Sequence, residues 1–166
     1  MNPERKVDAS KIQILDIKTL QGQITSEENV DTALLGGQSF EFNVTTGLNP
    51  DENIIGLKLK VDIQATDVEG NPIRISGSYT HEVVFSVENL SDFIEVKDVN
   101  GVNEYVVDVV LGATLAGIIY STVRGIIFTR TQGTSLGAVV LPVIDPLRLI
   151  QENQSPEANN HHKTAP

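Results

Sequence analysis

Cysteine and tryptophan are both absent from the 166 residues. Without thiols there is no disulfide framework, no thiolate zinc centre and no cysteine nucleophile. Cationic residues are scarce: 12 Lys and Arg stand against 22 Asp and Glu, a net charge of −10 with a pI near 4.6. No Lys/Arg cluster interrupts that balance. Nucleic acid and anionic membrane both require a basic footprint, so neither is an expected partner. There is no unbroken run of 18 apolar residues, and no membrane span is expected. The segment Met1-Asn2-Pro3-Glu4-Arg5-Lys6 lacks an apolar stretch after its charges, so no secretory signal is read there. A cytoplasmic location is the expectation that follows.

Catalytic signatures are missing too. There is no phosphate loop, no HExxH and no GxSxG. No nucleotide, metal or other cofactor is expected. Histidine occurs three times. His81 falls at an inward position of a strand pattern, where a structural role is the simpler reading. His161 and His162 are adjacent in a polar tail, which by itself does not make a zinc site. Ser76, Ser78 and Ser86 have no His/Asp partner set. The chain is not expected to be an enzyme; a small-ligand-binding or enzymatic α+β domain remains the third alternative.

What is present is one domain's worth of apolar material, 40% hydrophobic against 20% charged. That is too apolar for a disordered chain and enough for one core. Residues 1–10 read as a flexible N-terminus, 11–152 as the folded domain and 153–166 as a disordered polar tail. From Lys11 to Thr25 a strand is expected. Its apolar residues switch parity (Ile12 and Ile14, then Leu15 and Ile17, then Leu20 and Ile24), which suggests a bulge or a strong twist. A loop over 26–38 contains Ala33-Leu34-Leu35-Gly36-Gly37. Phe40, Phe42 and Val44 alternate as a second strand. Ile55, Leu57, Leu59, Val61, Ile63 and Ala65 take every odd position with polar residues between, a half-buried third strand. Ile73 to Val87 repeat the pattern as a fourth. Short turns between these segments imply antiparallel pairing.

Residues 91–104 read as a polar connection with a turn at Asn100-Gly101. A long helix follows from near Val109, with Leu111, Leu115, Ile118, Ile119, Thr122, Val123 and Ile126 at helical spacing. Gly112, Ala113, Ala116 and Gly117 allow close approach, either of the sheet or of a helix from another subunit. Gly133 is the expected helix stop. Leu136 to Ile144 is apolar without periodicity. Asp145-Pro146 reads as an N-cap with proline at the first position of a short helix to about Glu152. Strands first and helices afterwards define an α+β fold: a four-stranded antiparallel sheet with a long and a short helix on one face.

The informative apolar residues are those outside regular patterns: Leu34 and Leu35, the 136–144 stretch, and Leu147, Leu149 and Ile150. Either they close the core or they line a groove for another apolar chain.

Tyr120-Ser121-Thr122-Val123-Arg124-Gly125, then Gly133-Thr134, Leu141-Pro142-Val143 and Leu147 resemble the SecB family of preprotein-export chaperones. The resemblance spans about residues 11–150 and is most specific over 120–147; upstream it rests on strand order. It implies a SecB-like fold and a homotetramer built as a dimer of dimers, with first strands at one interface and Gly112, Ala113, Ala116 and Gly117 of the long helix at the other. It implies an ATP-independent holdase that binds unfolded or export-competent polypeptides in apolar grooves and supports protein export and translocation. The groove residues would be Leu34, Leu35, Phe40, Phe42, Leu136, Val139, Val140, Leu141 and Leu147. Structural roles would fall to Arg124, Gly133 and Pro142, with Arg124 fixing the apolar loop against the helix. Family members that dock on the SecA motor carry acidic residues where this chain has Thr19 or Leu20, Ser76 and Ser78, so the docking residues are not matched. Some SecB-like proteins instead serve a toxin–antitoxin pair, which makes a dedicated chaperone of a single client the alternative role.

Overall fold

The structure is a computed structural model and describes residues 6–99 and 101–154. The expected termini therefore fall largely outside it: residues 1–5 and 155–166, with His161 and His162, lie outside the described residues. Four long strands form one antiparallel sheet: β1 (Ile12–Ser26), β2 (Gly37–Asn49), β3 (Ile54–Thr66) and β4 (Pro72–Val87), in the order β1-β4-β3-β2. β3 and β4 occupy the centre, and their strict alternation follows from having one face on the core and one facing out. Ile55, Leu57, Leu59, Val61 and Ile63 of β3 and Ile75, Tyr79, Val83, Phe85 and Val87 of β4 are all buried.

The parity switches in β1 are two register shifts against β4, between Ile14 and Asp16 and between Thr19 and Gln21. Leu15 and Leu20 are the additional residues, so Ile14, Ile17, Thr19, Gly22 and Ile24 all face the same side as the buried residues of β4.

The long helix α1 (Val109–Thr131) lies on that side. The Asp108 carboxylate accepts from the Val110 amide at 2.8 Å and caps its N-terminus. Leu111, Leu115, Ile119, Val123 and Ile127 form the fully buried stripe. Truncating one of them, Leu115→Ala for example, removes about 2–5 kcal/mol. Gly133 follows the helix with φ of +73°, a left-handed conformation that glycine adopts without steric penalty. By length and composition α1 could cross a membrane, with a mean hydropathy of 1.6 in its apolar window; here its buried stripe is packed on the sheet. The short helix α2 (Pro146–Gln154) packs on α1 and β2. Its capping is as expected from the sequence: the Asp145 carboxylate accepts from the Leu147 amide at 3.0 Å.

One element differs from the sequence reading. The polar connection over 91–104 is a hairpin, β5 (Ile94–Val99) paired with β6 (Val102–Val107), in a separate two-stranded sheet. Gly101 has φ of +82° and donates its amide to the Asp98 carboxylate at 2.7 Å; Asn100 lies outside the described residues. The turn dipeptide was the available signal. Flanking charges at Glu95, Lys97, Asp98 and Glu104 concealed the strands because neither face of most of the hairpin is buried.

Candidate polypeptide-binding grooves

Phe40 and Phe42 point to the helix side of β2, opposite Ile63 and Val61. β2 is an outer strand, so these rings are only half buried. They stack with centroids 6.2 Å apart, and Phe42 meets Tyr120 of α1 edge-on at 5.6 Å. The Tyr120 hydroxyl donates to the Pro142 carbonyl at 2.5 Å, tying the apolar loop to the helix. Burial raises the Tyr120 pKa and the nearby Arg124 charge opposes that shift. Thr131 makes a second tether: its hydroxyl oxygen accepts from the Val139 amide at 2.9 Å while donating back to the Ile127 carbonyl. Gln38 adds a third, its side-chain amide donating to the Leu136 carbonyl at 3.0 Å.

Beside the start of α2 lie two clefts, one of mixed polarity and one mainly apolar. One, of about 240 Å³, lies between Phe42 and Val143, Ile144, Arg148 and Leu149. The other, of about 410 Å³, lies between Val109, Val110 and Ala113 of α1 and Pro146 and Leu147 of α2. Asp145 borders both.

The residues expected to line a groove separate into three groups. Leu136, Val139 and Leu141 have no exposed surface and belong to the core, beneath the grooves and out of reach of a bound chain. Leu35, Phe40 and Phe42 are half buried, Leu35 lying against Gly137. Leu34 and Val140, each 54% exposed, and Leu147 are open. Val143, at 85% exposure, Val109 and Val110 belong with the open group and were not singled out from sequence. The 136–144 stretch was visible as apolar, but its division into buried and open residues follows from where the three tethers fall.

The small-residue stripe is engaged within the chain itself. Ala116 is fully buried, and side chains added at Gly112 and Gly117 would meet Ile150 and Pro146 of α2, at 3.8 and 3.4 Å. The first contact of this stripe is therefore with α2, and a charge at Ala116 would disrupt the monomer before any subunit contact. Ala113 is partly exposed. Arg124 also differs from expectation: among the described residues it makes no hydrogen bond or ion pair, and Tyr120 fixes the loop instead.

Thr19 pairs with His81 and faces the helix side, and Leu20 is a bulge residue. The outward positions are Gln21, Gln23 and Thr25, with Ser76, Ser78, Glu41 and Asp62, around a polar concavity of about 720 Å³. Ser78 donates to Asp62 there at 2.6 Å. His81 is fully buried beside Tyr79, and neither ring nitrogen has a partner among the described residues.

Strand order, the helix layer and the tethered loop together define the SecB-like fold. No protein-family model and no curated protein matches the sequence. Among solved structures, the chain is similar to the Mycobacterium tuberculosis SecB-like chaperone Rv1957, determined in complex with a ChAD peptide from the Rv1956 HigA1 antitoxin. The TM-score is 0.57 at 14% identity, over 82% of this chain and 92% of that one.

Proposed function

We propose that this protein is an ATP-independent chaperone that holds unfolded polypeptide segments in the apolar clefts around Phe42, Val143 and Leu147. The observation that carries the reading is uncovered apolar surface held open by specific tethers, on a fold shared with a peptide-binding chaperone. Apolar contact supplies about 25 cal/mol per Å² covered and asks for no particular sequence, which suits a holder of varied chains. The acidic surface keeps a loaded complex dispersed.

A homotetramer fits the same surface. Ile14, Leu15, Ile17 and Leu20 are all exposed along β1, a 15-residue outer strand. The outer side of α1 is apolar or small, with Val110 and Phe128 exposed. Both surfaces would be covered in a dimer of dimers, and linked grooves raise avidity by about 10²–10⁴ over one site. A role restricted to one client, such as an antitoxin, is the second reading, favoured by the antitoxin peptide held by the structural neighbour.

The test is suppression of aggregation of a slowly refolding protein without nucleotide. The variant Val110→Ser with Val143→Ser and Leu147→Ser, all exposed cleft positions, should stay folded, because exposed positions cost within about 0.5 kcal/mol. It should bind clients on the order of a hundred times more weakly, at about 1 kcal/mol for each of the three lost contacts. Full protection by the folded triple variant refutes the groove assignment.

A further inference from the structure

Among the described residues, His81 is the one ionisable group with no exposed surface. It sits on β4 between two strands of different standing. Leu59 of the central strand β3 is opposite it on one side and Thr19 of β1 on the other. β1 is an outer strand paired with β4 alone, and it is exposed from Gln13 to Gln23. At that edge of the sheet, β1 is what separates the imidazole from water. The hold of β1 is weakest at the same place. Its ladder with β4 is interrupted between Ile14 and Asp16 and again between Thr19 and Gln21, so Asp16 to Thr19 is a short stretch with a bulge at either end. Each bulge disrupts the ladder locally.

No carboxylate faces the ring. Leu57, Leu59 and Val61 of β3 and Val83 of β4 surround it with buried apolar side chains, and β1 adds Ile17, Thr19 and Gly22 on that side. Lys18, Lys58 and Glu82 alternate with these residues and lie on the opposite face of the sheet. The helix α1 carries no Asp or Glu, and its Arg130 brings a positive charge. A Cβ at Gly22 would lie 3.5 Å from the Arg130 Nη1 and 3.4 Å from the Tyr79 ring, so the guanidinium and the phenol converge there. Tyr79 in turn stacks on His81 with centroids 6.4 Å apart. Burial holds the imidazole neutral, with its pKa below the usual 6.5, and the Arg130 charge acts in the same direction.

We propose that His81 is a proton-operated latch on β1: an imidazolium at this position frees the Asp16–Thr19 stretch from β4 and, with it, the apolar subunit surface that β1 presents. The consequence for assembly rests on the homotetramer reading above; the movement of β1 does not. An imidazolium has two N–H donors, and both must reach an acceptor or water. Toward β3 it meets a buried leucine on a strand held from both sides. Toward β1 it meets the Thr19 hydroxyl and then solvent, so displacement of β1 relieves the charge with the least structure lost. Ile14, Leu15, Ile17 and Leu20, on that stretch and at its ends, are the exposed residues a neighbouring β1 would cover. Their surface is dismantled when the stretch lets go, while β2, β3, β4 and α1 keep their packing.

Amide exchange and native mass at pH 7.5 and pH 5.5 test this, each against His81→Leu at the same pH, with His81→Gln as a second variant that cannot titrate. One pH unit below 6.5, protonation of the opened form favours opening by up to about tenfold. At pH 5.5, exchange over residues 12–20 should therefore be about tenfold faster in wild type than in either variant, with no difference at pH 7.5. Exchange over β3 should be unchanged. The wild-type mass should fall from tetramer toward smaller species at pH 5.5 and the variants should hold theirs. Arg130→Gln removes the repelling charge, so its transition should move to higher pH, a shift that a merely structural arginine would not produce. Equal pH responses in wild type and both His81 variants overturn the proposal. So does acceleration over β3 in step with β1, which would report unfolding of the whole domain, and so does a tetramer that keeps its mass while β1 opens. A chain that is monomeric at both pH values but opens β1 on acidification refutes the homotetramer reading and leaves the latch supported.

Discussion

Replacing His81 with leucine should stabilise the protein and remove an acid sensitivity. A neutral imidazole has one donor and one acceptor nitrogen, and here both are buried without a partner among the described residues. A buried, unsatisfied polar group costs about 1–3 kcal/mol, and an apolar side chain of similar volume avoids that cost. His81→Leu is therefore expected to gain about 1–3 kcal/mol, reduced by any misfit of the branched side chain against Tyr79. In a domain of this size each kcal/mol corresponds to about 2–4 °C in Tm. The pH dependence is the sharper test. Burial pushes the His81 pKa below the usual 6.5, and the positive charge of Arg130 acts in the same direction. Between the folded and unfolded values, the unfolded chain holds the additional proton. Stability is then complete above about pH 6.5 and falls on acidification by up to about 1.4 kcal/mol per pH unit until the folded pKa is reached. Urea unfolding from pH 5 to 8 measures this. The wild-type curve should slope downward below pH 6.5 more steeply than the His81→Leu curve, since carboxylates contribute equally to both. Parallel curves, or a variant less stable than wild type at pH 7.5, would refute the reasoning and show that the imidazole is satisfied in solution.

Tyr120→Phe removes the hydroxyl that holds Pro142; a loss of about 1 kcal/mol and faster amide exchange over 139–144 are expected by hydrogen-exchange measurement. Arg124→Ala, by contrast, breaks no hydrogen bond among the described residues, and its unfolding free energy should lie within about 0.5 kcal/mol of wild type by chemical denaturation. Gly36→Ala would drive a Cβ into the backbone of Asp67 and Val68, where the β1–β2 connection docks on the β3–β4 turn. The backbone must shift, and a loss of about 1–3 kcal/mol is expected by chemical denaturation; a neutral outcome would mean the connection is not held against that turn.

Where a residue's environment is set by its immediate neighbours, the sequence alone determined the structure. Period-two alternation located β3 and β4, because a strand with one buried face presents every second side chain to it. Parity switches located the β1 bulges at Leu15 and Leu20. Gly133 marked the end of α1, and Asp145-Pro146 the start of α2, because both act through their own backbone. Tertiary structure alone decided which apolar residues are groove and which are core. Leu141 and Val140 are adjacent and chemically alike, yet one is sealed and the other open. Their difference is set by Gln38 and Tyr120, distant in sequence, which hold the loop at Leu136 and Pro142. Within the chain the small residues Gly112 and Gly117 of α1 lie against α2, which sequence could not specify for the same reason: a close-approach surface sets a distance and not a partner. His81 read as inward-facing, but whether its nitrogens find partners depends on residues brought together from β1, β4 and α1.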